Sequence, residues 1–193
     1  MTVAAVPTDH TVAEQRTADA IATETDADAS SSTAQTAGSF IPWFPPTEIL
    51  DQHLYLGSYM SVNRGADKLR ALHCKYIINC CGAKNVFATD FTYLTFSLKD
   101  DTKQEVEHTF DPAIAMIEQA AREKNAVVVH CMAGKSRSAT VVLAYLVKAR
   151  RMTLKDALDF VQSKRAQVAP NAGFMKQVLQ PLQVRCLTAC FRS

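Results

Sequence analysis

Along residues 42 to 190 the apolar positions switch between a period of two and a period near 3.6. His53-Leu-Tyr-Leu56, Lys75-Tyr-Ile-Ile-Asn79 and Tyr93-Leu-Thr-Phe96 read as short buried strands, and Ala126-Val-Val-Val-His130 as the most buried of the four. Between the last two, Asp111 followed by Pro112 reads as an N-cap with proline at the first helical position. Ala113, Ile114, Ile117 and Ala121 then continue at helical spacing to Lys124. A mostly apolar helix is predicted over Ala139 to Arg151, and Thr153-Leu-Lys-Asp156 resembles a capping box opening a second one through Arg165. A third runs from Asn171 to about Cys190, with Pro181 marking a kink or break. Strands alternating with helices and ending in a helical cluster predict an α/β domain.

The first 40 residues break this pattern. They are Ala, Thr, Ser and Asp with almost no large apolar side chains, too few to offset the entropy of ordering, so residues 1–41 are expected to be a disordered tail. Pro42, Pro45 and Pro46 mark the domain start, where Trp43 and Phe44 are placed to pin its edge. The domain is expected over 42–188, with 189–193 a short C-terminal tail. A 193-residue chain with 48% hydrophobic residues has the length for one domain of ordinary size.

Charge refines the picture. The net charge is +2, but residues 1 to 40 hold six acids and one base (1 − 6 = −5), leaving the rest at +7. That balance favours anionic partners without the basicity of a nucleic-acid binder. Apolar stretches such as Ala139 to Val147 fall short of the ~20 residues a membrane span needs, so no membrane insertion is expected. Six cysteines without an N-terminal signal segment point to reduced thiols and a cytoplasmic, also nuclear, location. Their spacings, with Cys80 and Cys81 adjacent and Cys186 and Cys190 one turn apart, do not form a zinc set, and no metal or other cofactor is expected. Cys190-Phe-Arg-Ser193 has the frame of a prenylation box, but Arg192 stands where an aliphatic residue belongs, and a helix end fits better.

The candidate chemistry lies in residues 130 to 140, HCMAGKSRSAT. A strand feeding a short loop and then a helix puts Cys131 at the carboxyl edge of a sheet and at a helix N-terminus, where α/β sheets bind ligands. Backbone amides of a tight turn and of a helix N-terminus form an anion cradle, and Gly134 lets the backbone curl toward a ligand. Met132, Ala133, Gly134, Lys135, Ser136 and Arg137 are therefore the candidate phosphate-binding residues, with Arg137 supplying a fork for two oxygens. The same surroundings lower a thiol pKa from about 8.5 into a range of ~3.5 to 7.5, making Cys131 a candidate nucleophile for in-line attack on phosphorus. Taken singly, such a cysteine is a small core residue, such an arginine a solvated one, and His130 a buried histidine orienting the loop. Together, at strand-His-Cys-x5-Arg-Ser-helix spacing, they point to catalysis.

The stretch resembles the active-site loop of cysteine-dependent phosphatases, HCxxGxxR, and in its AGxSRSxT form is similar to the dual-specificity protein phosphatase family. Glu48-Ile49-Leu50, Leu54-Tyr-Leu-Gly-Ser58, Ile77-Ile78-Asn79, Ala144-Tyr-Leu146 and Pro170-Asn-Ala-Gly-Phe174 extend the likeness over roughly residues 42 to 185. The resemblance implies a mixed, mostly parallel sheet of about five strands flanked by helices, with the phosphate loop between a strand and a helix. It implies a cysteinyl-phosphate mechanism without metal, and phosphorylated proteins as partners, a protein kinase among them. It places the general acid on the loop DDTKQEVEH, favouring Asp101 over Asp100, and makes Ser138 the hydroxyl that eases departure of the sulfur. His130, Asn79 and Asn171 become structural supports.

Two departures bear on substrate and regulation. Lys135 stands where most members carry an uncharged residue, and CxAGKxR is reminiscent of phosphoinositide 3-phosphatases, although Met132 replaces their second lysine. In those relatives a cysteine two residues after an asparagine pairs with the nucleophile. Asn79-Cys80-Cys81 reproduces that spacing, so Cys81 is a candidate redox partner, beside the plainer reading of two core cysteines. The domain lacks the length of tyrosine-specific phosphatases, which implies a shallow cleft open to phosphoserine and phosphothreonine. It also resembles the small atypical members in having no kinase-docking domain. A phosphoinositide phosphatase and a phosphoprotein-binding module without hydrolysis are the alternatives.

Overall fold

The most apolar predicted strand becomes the middle of the sheet. In the computed structural model, which describes residues 43–180, β5 (Ala126–Cys131) lies between β2 (Leu54–Ser58) and β3 (Cys74–Asn79), parallel to both. β4 (Thr92–Thr95) pairs parallel with β3, and β1 (Thr47–Leu50) pairs antiparallel with β2, giving the order β1-β2-β5-β3-β4. The expected mixed, mostly parallel five-stranded sheet is what forms. Burial on both faces explains why β5 reads as an unbroken apolar run.

The period-two alternation divides the core. Val127, Val129 and Cys131 face α3 (Phe110–Arg122), α4 (Arg137–Lys148), α5 (Leu154–Lys164) and α6 (Ala172–Leu179). Ala126 and Val128 face the short α1 (Tyr59–Val62) and α2 (Ala66–Ala71) through Val62 and Leu69. α4 buries every residue from Ser138 to Leu146, as a helix apolar all round must.

Element ends differ from expectation in instructive ways. α3 starts at Phe110 after a 3-10 turn over Glu107–Thr109, because the Thr109 hydroxyl closes that turn on the Val106 carbonyl at 2.6 Å. Pro112 therefore falls third in the helix, still among the amides that need no partner. At its far end Lys124 takes φ 57°. Its N–H reaches Ala121 O, and that of Asn125 reaches Ala120 O, a Schellman closure. α4 begins two residues earlier than predicted and ends at Lys148 rather than Arg151. Thr153 caps α5 by accepting from the Asp156 amide.

Asn171 caps α6 by accepting from the Phe174 amide, and Gln180 turns extended (φ −64°, ψ 138°), as a residue before proline must. The expected continuation to Cys190 and the tails at 1–41 and 189–193 lie outside the described residues. At the entry to the domain Trp43 donates from Nε1 to Ser61 O at 2.9 Å, with Lys68 over its ring, while Phe44 is 57% exposed and pins nothing. β1 and the short α1 and α2 were not predicted as elements; each is six residues or fewer.

Candidate active site

The site is a loop that the rest of the chain holds by its carbonyls. Residues 132 to 136 link the end of β5 to α4. Met132 O accepts from the Tyr59 amide at 3.2 Å, and Lys135 O from the Ala169 amide at 3.0 Å. Ala133 O and Gly134 O are both taken by Arg165, from Nη2 at 3.3 Å and Nε at 3.0 Å. A trans peptide aims its N–H opposite its carbonyl, so four carbonyls tied outward turn the amides of 133 to 136 into the loop. Gly134 is the residue that permits the curl. Its φ is 70°, and a Cβ there would meet Gly57 O at 2.6 Å.

Cys131 lies at the floor of this loop, 1% exposed, with Sγ accepting from the Gly134 amide at 3.3 Å and the Ser138 hydroxyl at 3.2 Å. Burial alone pushes the thiol up. The Ser138 hydroxyl and amide, the Gly134 amide and the charge of Arg137 outweigh it, and the net pKa falls below the ordinary thiol value. The amides of the loop and the Arg137 charge thus favour the anionic form of this thiol.

Arg137 opens α4 with a side chain only 16% exposed. Its Nη1 donates to Leu98 O at 3.1 Å, and its Nε, 3.9 Å from Asp100 Oδ2, has no hydrogen-bond partner among the described residues. Asp100 and Asp101 part ways here. Asp100 Oδ1 accepts from the Ser136 hydroxyl at 2.7 Å and Asn171 Nδ2 at 3.0 Å, tying the acidic loop to the phosphate loop and to the cap of α6. Asp101 is exposed; its Oδ1 accepts from the Lys103 amide at 2.8 Å, and no described residue bonds its Oδ2.

The remaining predicted residues fall around this centre. His130 is 2% exposed, and burial pushes its pKa down to about 4, so it is neutral at physiological pH. Asn79 shapes the turn after β3, donating to Ala83 O and Asn85 Oδ1 and accepting from the Cys81 amide. Cys80 is fully buried. Cys81 is half-buried with Sγ 3.4 Å from Asn79 Oδ1, and burial raises both thiols. Met132, 53% exposed, and Lys135 reach outward at the loop rim, while Ser136 turns to Asp100. Among the described residues no cluster of His, Cys, Asp and Glu could hold a metal ion.

Sequence reasoning missed Arg165, which joins the loop to Thr47 Oγ1 on β1 at 3.1 Å as well as holding its carbonyls. A lone arginine at a helix end carries no signal of its own. Its role exists only once the loop lies beside it.

Comparison with known proteins agrees with this geometry. The family model described as dual specificity phosphatase, catalytic domain, matches residues 54–183. Dual specificity protein phosphatase 1 of Arabidopsis thaliana is 38% identical over 136 residues, covering 70% of this chain and 68% of that protein. Dual specificity protein phosphatase 7 of Homo sapiens is 37% identical over 162 residues, covering 81% of this chain but 38% of the relative. Among solved structures, the human tyrosine phosphatase-like serine/threonine/tyrosine-interacting protein matches with TM-score 0.65 and 30% identity over 69% of this chain and 93% of that one. DUSP15 matches at TM-score 0.65 and 28% identity over 69% and 85%. With the loop, the cap of α6 and the four parallel strands β2 to β5 inside the matched region, the chain belongs to the dual specificity phosphatase family.

Proposed function

We propose that this chain removes phosphate from phosphotyrosine and from phosphoserine or phosphothreonine in proteins, protein kinases among them, through a phosphoenzyme on Cys131. The observation that carries the reading is the Cys131 sulfur at the floor of a loop whose carbonyls are all tied outward. A phosphoryl group entering it meets inward amides and the Arg137 fork. The thiolate attacks phosphorus in line as the P–O bond to the leaving group breaks, and Asp101 gives that oxygen a proton. Asp101 then takes a proton from the water that attacks the cysteinyl phosphate, while Ser138 stabilises the departing thiolate. Asp100 accepts from Ser136 and Asn171 and lies 3.9 Å from Arg137, so Asp100→Asn is compared with Asp101→Asn on a poor leaving group to decide which carboxyl gives the proton.

The chemistry needs Cys131 reduced, which fits a cytoplasmic or nuclear setting. A phosphoinositide reading draws on exposed Lys135 at the loop rim. PTPMT1, solved in complex with PI(5)P, shares the fold at TM-score 0.61 and 18% identity, a likeness that speaks to fold alone. Retention of both Cys131 and Arg137 favours hydrolysis over a binding module. The test is p-nitrophenyl phosphate hydrolysis by wild type and Cys131→Ser, then phosphate release from phosphopeptides against phosphoinositide head groups. A wild type no faster than Cys131→Ser overturns the enzyme reading. Faster release from lipid head groups overturns the protein substrate.

A further inference from the structure

Across β5 from the catalytic cysteine the chain leaves a second hollow. Side chains alternate along a strand, so His130 turns to the α1 and α2 side as Ala126 and Val128 do, while Cys131 packs on the other face. Beside His130 lies an open cavity of about 160 Å³. Its walls are Tyr59 and Val62 of α1, Asn63 just after it, Val86 of the segment after β3, and Tyr93 of β4. The Tyr59 and His130 ring centroids stand 6.3 Å apart, and the Tyr59 amide holds Met132 O at 3.2 Å. One residue thus belongs both to the cavity wall and to the support of the phosphate loop.

The lining selects for apolar matter. No carboxylate lines the cavity, His130 is neutral, and Val86 is an aliphatic side chain left 42% exposed. Lys84 is the one charged residue of the lining, and it is exposed to solvent. Two polar atoms of the lining residues, His130 Nδ1 and Asn63 Oδ1, are buried without a hydrogen-bond partner among the described residues. The Asn63 oxygen wants a donor, which a peptide backbone carries at every residue but proline. Size decides what kind of occupant fits. Sites for free ligands run to about 300–1,000 Å³, whereas this one has room for roughly one side chain, so its occupant is part of a molecule held elsewhere. The phosphate loop is the neighbouring hold. His130 and Cys131 are consecutive, with Cα atoms about 3.8 Å apart, and an extended peptide advances about 3.3 Å per residue. A substrate passing over Met132, 53% exposed, therefore brings a side chain close to the phosphoresidue to the cavity.

We propose that this cavity is a specificity subsite for one apolar, leucine-sized side chain, one or two positions from the phosphoresidue, with Tyr59, Val86 and Tyr93 as its walls. The inference rests on the reading of the chain as a protein phosphatase and names the sequence it prefers around the phosphoresidue.

The experiment uses a phosphotyrosine peptide with alanine at the two positions on either side, and four others in which leucine replaces one of these alanines at a time. Leucine at one position should raise kcat/KM about ten-fold over the all-alanine peptide, since its extra carbons leave water. Val86→Asp, which sets a charge on the wall, should bring that ratio to within about two-fold of one. Each ratio is taken within one enzyme, so a general loss of activity cancels. Val86→Trp, which fills the cavity instead, should do the same, so that loss of fold in one variant leaves the other to decide. Aspartate at the same peptide position should gain less than leucine, which separates an apolar subsite from attraction by Lys84. A wild-type ratio near one at all four positions, a ratio that survives the Val86 variants, or aspartate preferred to leucine overturns the subsite. Hydrolysis of p-nitrophenyl phosphate with no release from any peptide overturns the protein-phosphatase reading, and the subsite with it. Equal release from all the peptides sinks the subsite alone.

Discussion

Arg165 donates from Nε to the carbonyl oxygen of Gly134, 31 residues earlier in the chain, at 3.0 Å. Nη2 holds the neighbouring carbonyl of Ala133, so one guanidinium fixes two successive peptide planes of the phosphate loop. Arg165→Ala leaves both carbonyls without that partner, at about 1–3 kcal/mol for each group that water cannot reach. We expect kcat/KM on p-nitrophenyl phosphate to fall about ten- to a hundred-fold and inhibition by vanadate to weaken in step. Arg165→Lys has one point donor for two acceptors and should recover only part of the loss.

Ser138 stands 3.2 Å from the sulfur of Cys131 and lowers its pKa against the opposing effect of burial. Ser138→Ala should move the pH midpoint of iodoacetate alkylation upward. It should also slow breakdown of the cysteinyl phosphate about ten-fold, visible as a burst of product equal to the enzyme followed by slow turnover. An unmoved midpoint would remove Ser138 from the account.

His130 gives a pH dependence of stability. Its pKa is about 4 in the folded chain against 6.5 for an unperturbed histidine, because burial disfavours the charged ring. Below pH 6.5 the unfolded chain takes up a proton that the folded chain refuses, so stability falls as pH drops toward about 4 and then levels. The gap corresponds to about 3 kcal/mol. Urea midpoints for wild type should decline across this window more steeply than for His130→Asn; parallel curves would contradict it.

Gly134→Ala tests the curl itself. With φ at 70° and the Gly57 carbonyl 2.6 Å from the new Cβ, the loop must open and its amide must leave Cys131 Sγ. Turnover should fall about a hundred-fold or more, with circular dichroism and the far-side core unchanged.

The sequence carried the strands best where burial on both faces makes them continuous, as in β5, and the helices where a cap is spelled out, as at Thr153 and Asn171. Cys131, Ser138 and Arg137 were legible because loop, strand and helix fix their spacing within eight positions. Short elements such as β1 lack the length for a period to show. The start of α3 was misplaced because Thr109, not Asp111, organises it through a turn the helix signals do not encode. Arg165 lies more than thirty residues from the carbonyls it holds, and nothing local marks it. The different surroundings of Asp100 and Asp101, adjacent and identical in type, become visible only when Ser136 and Asn171 are in place.

The outward carbonyls of the phosphate loop have a last consequence. Each is satisfied by the protein itself, from Tyr59, Arg165 or Ala169, so the loop needs no anion to hold its form. Binding then costs little ordering entropy, and release of inorganic phosphate needs no chain segment to refold before the next ester enters. Inorganic phosphate should compete for the loop as a simple rival of substrate.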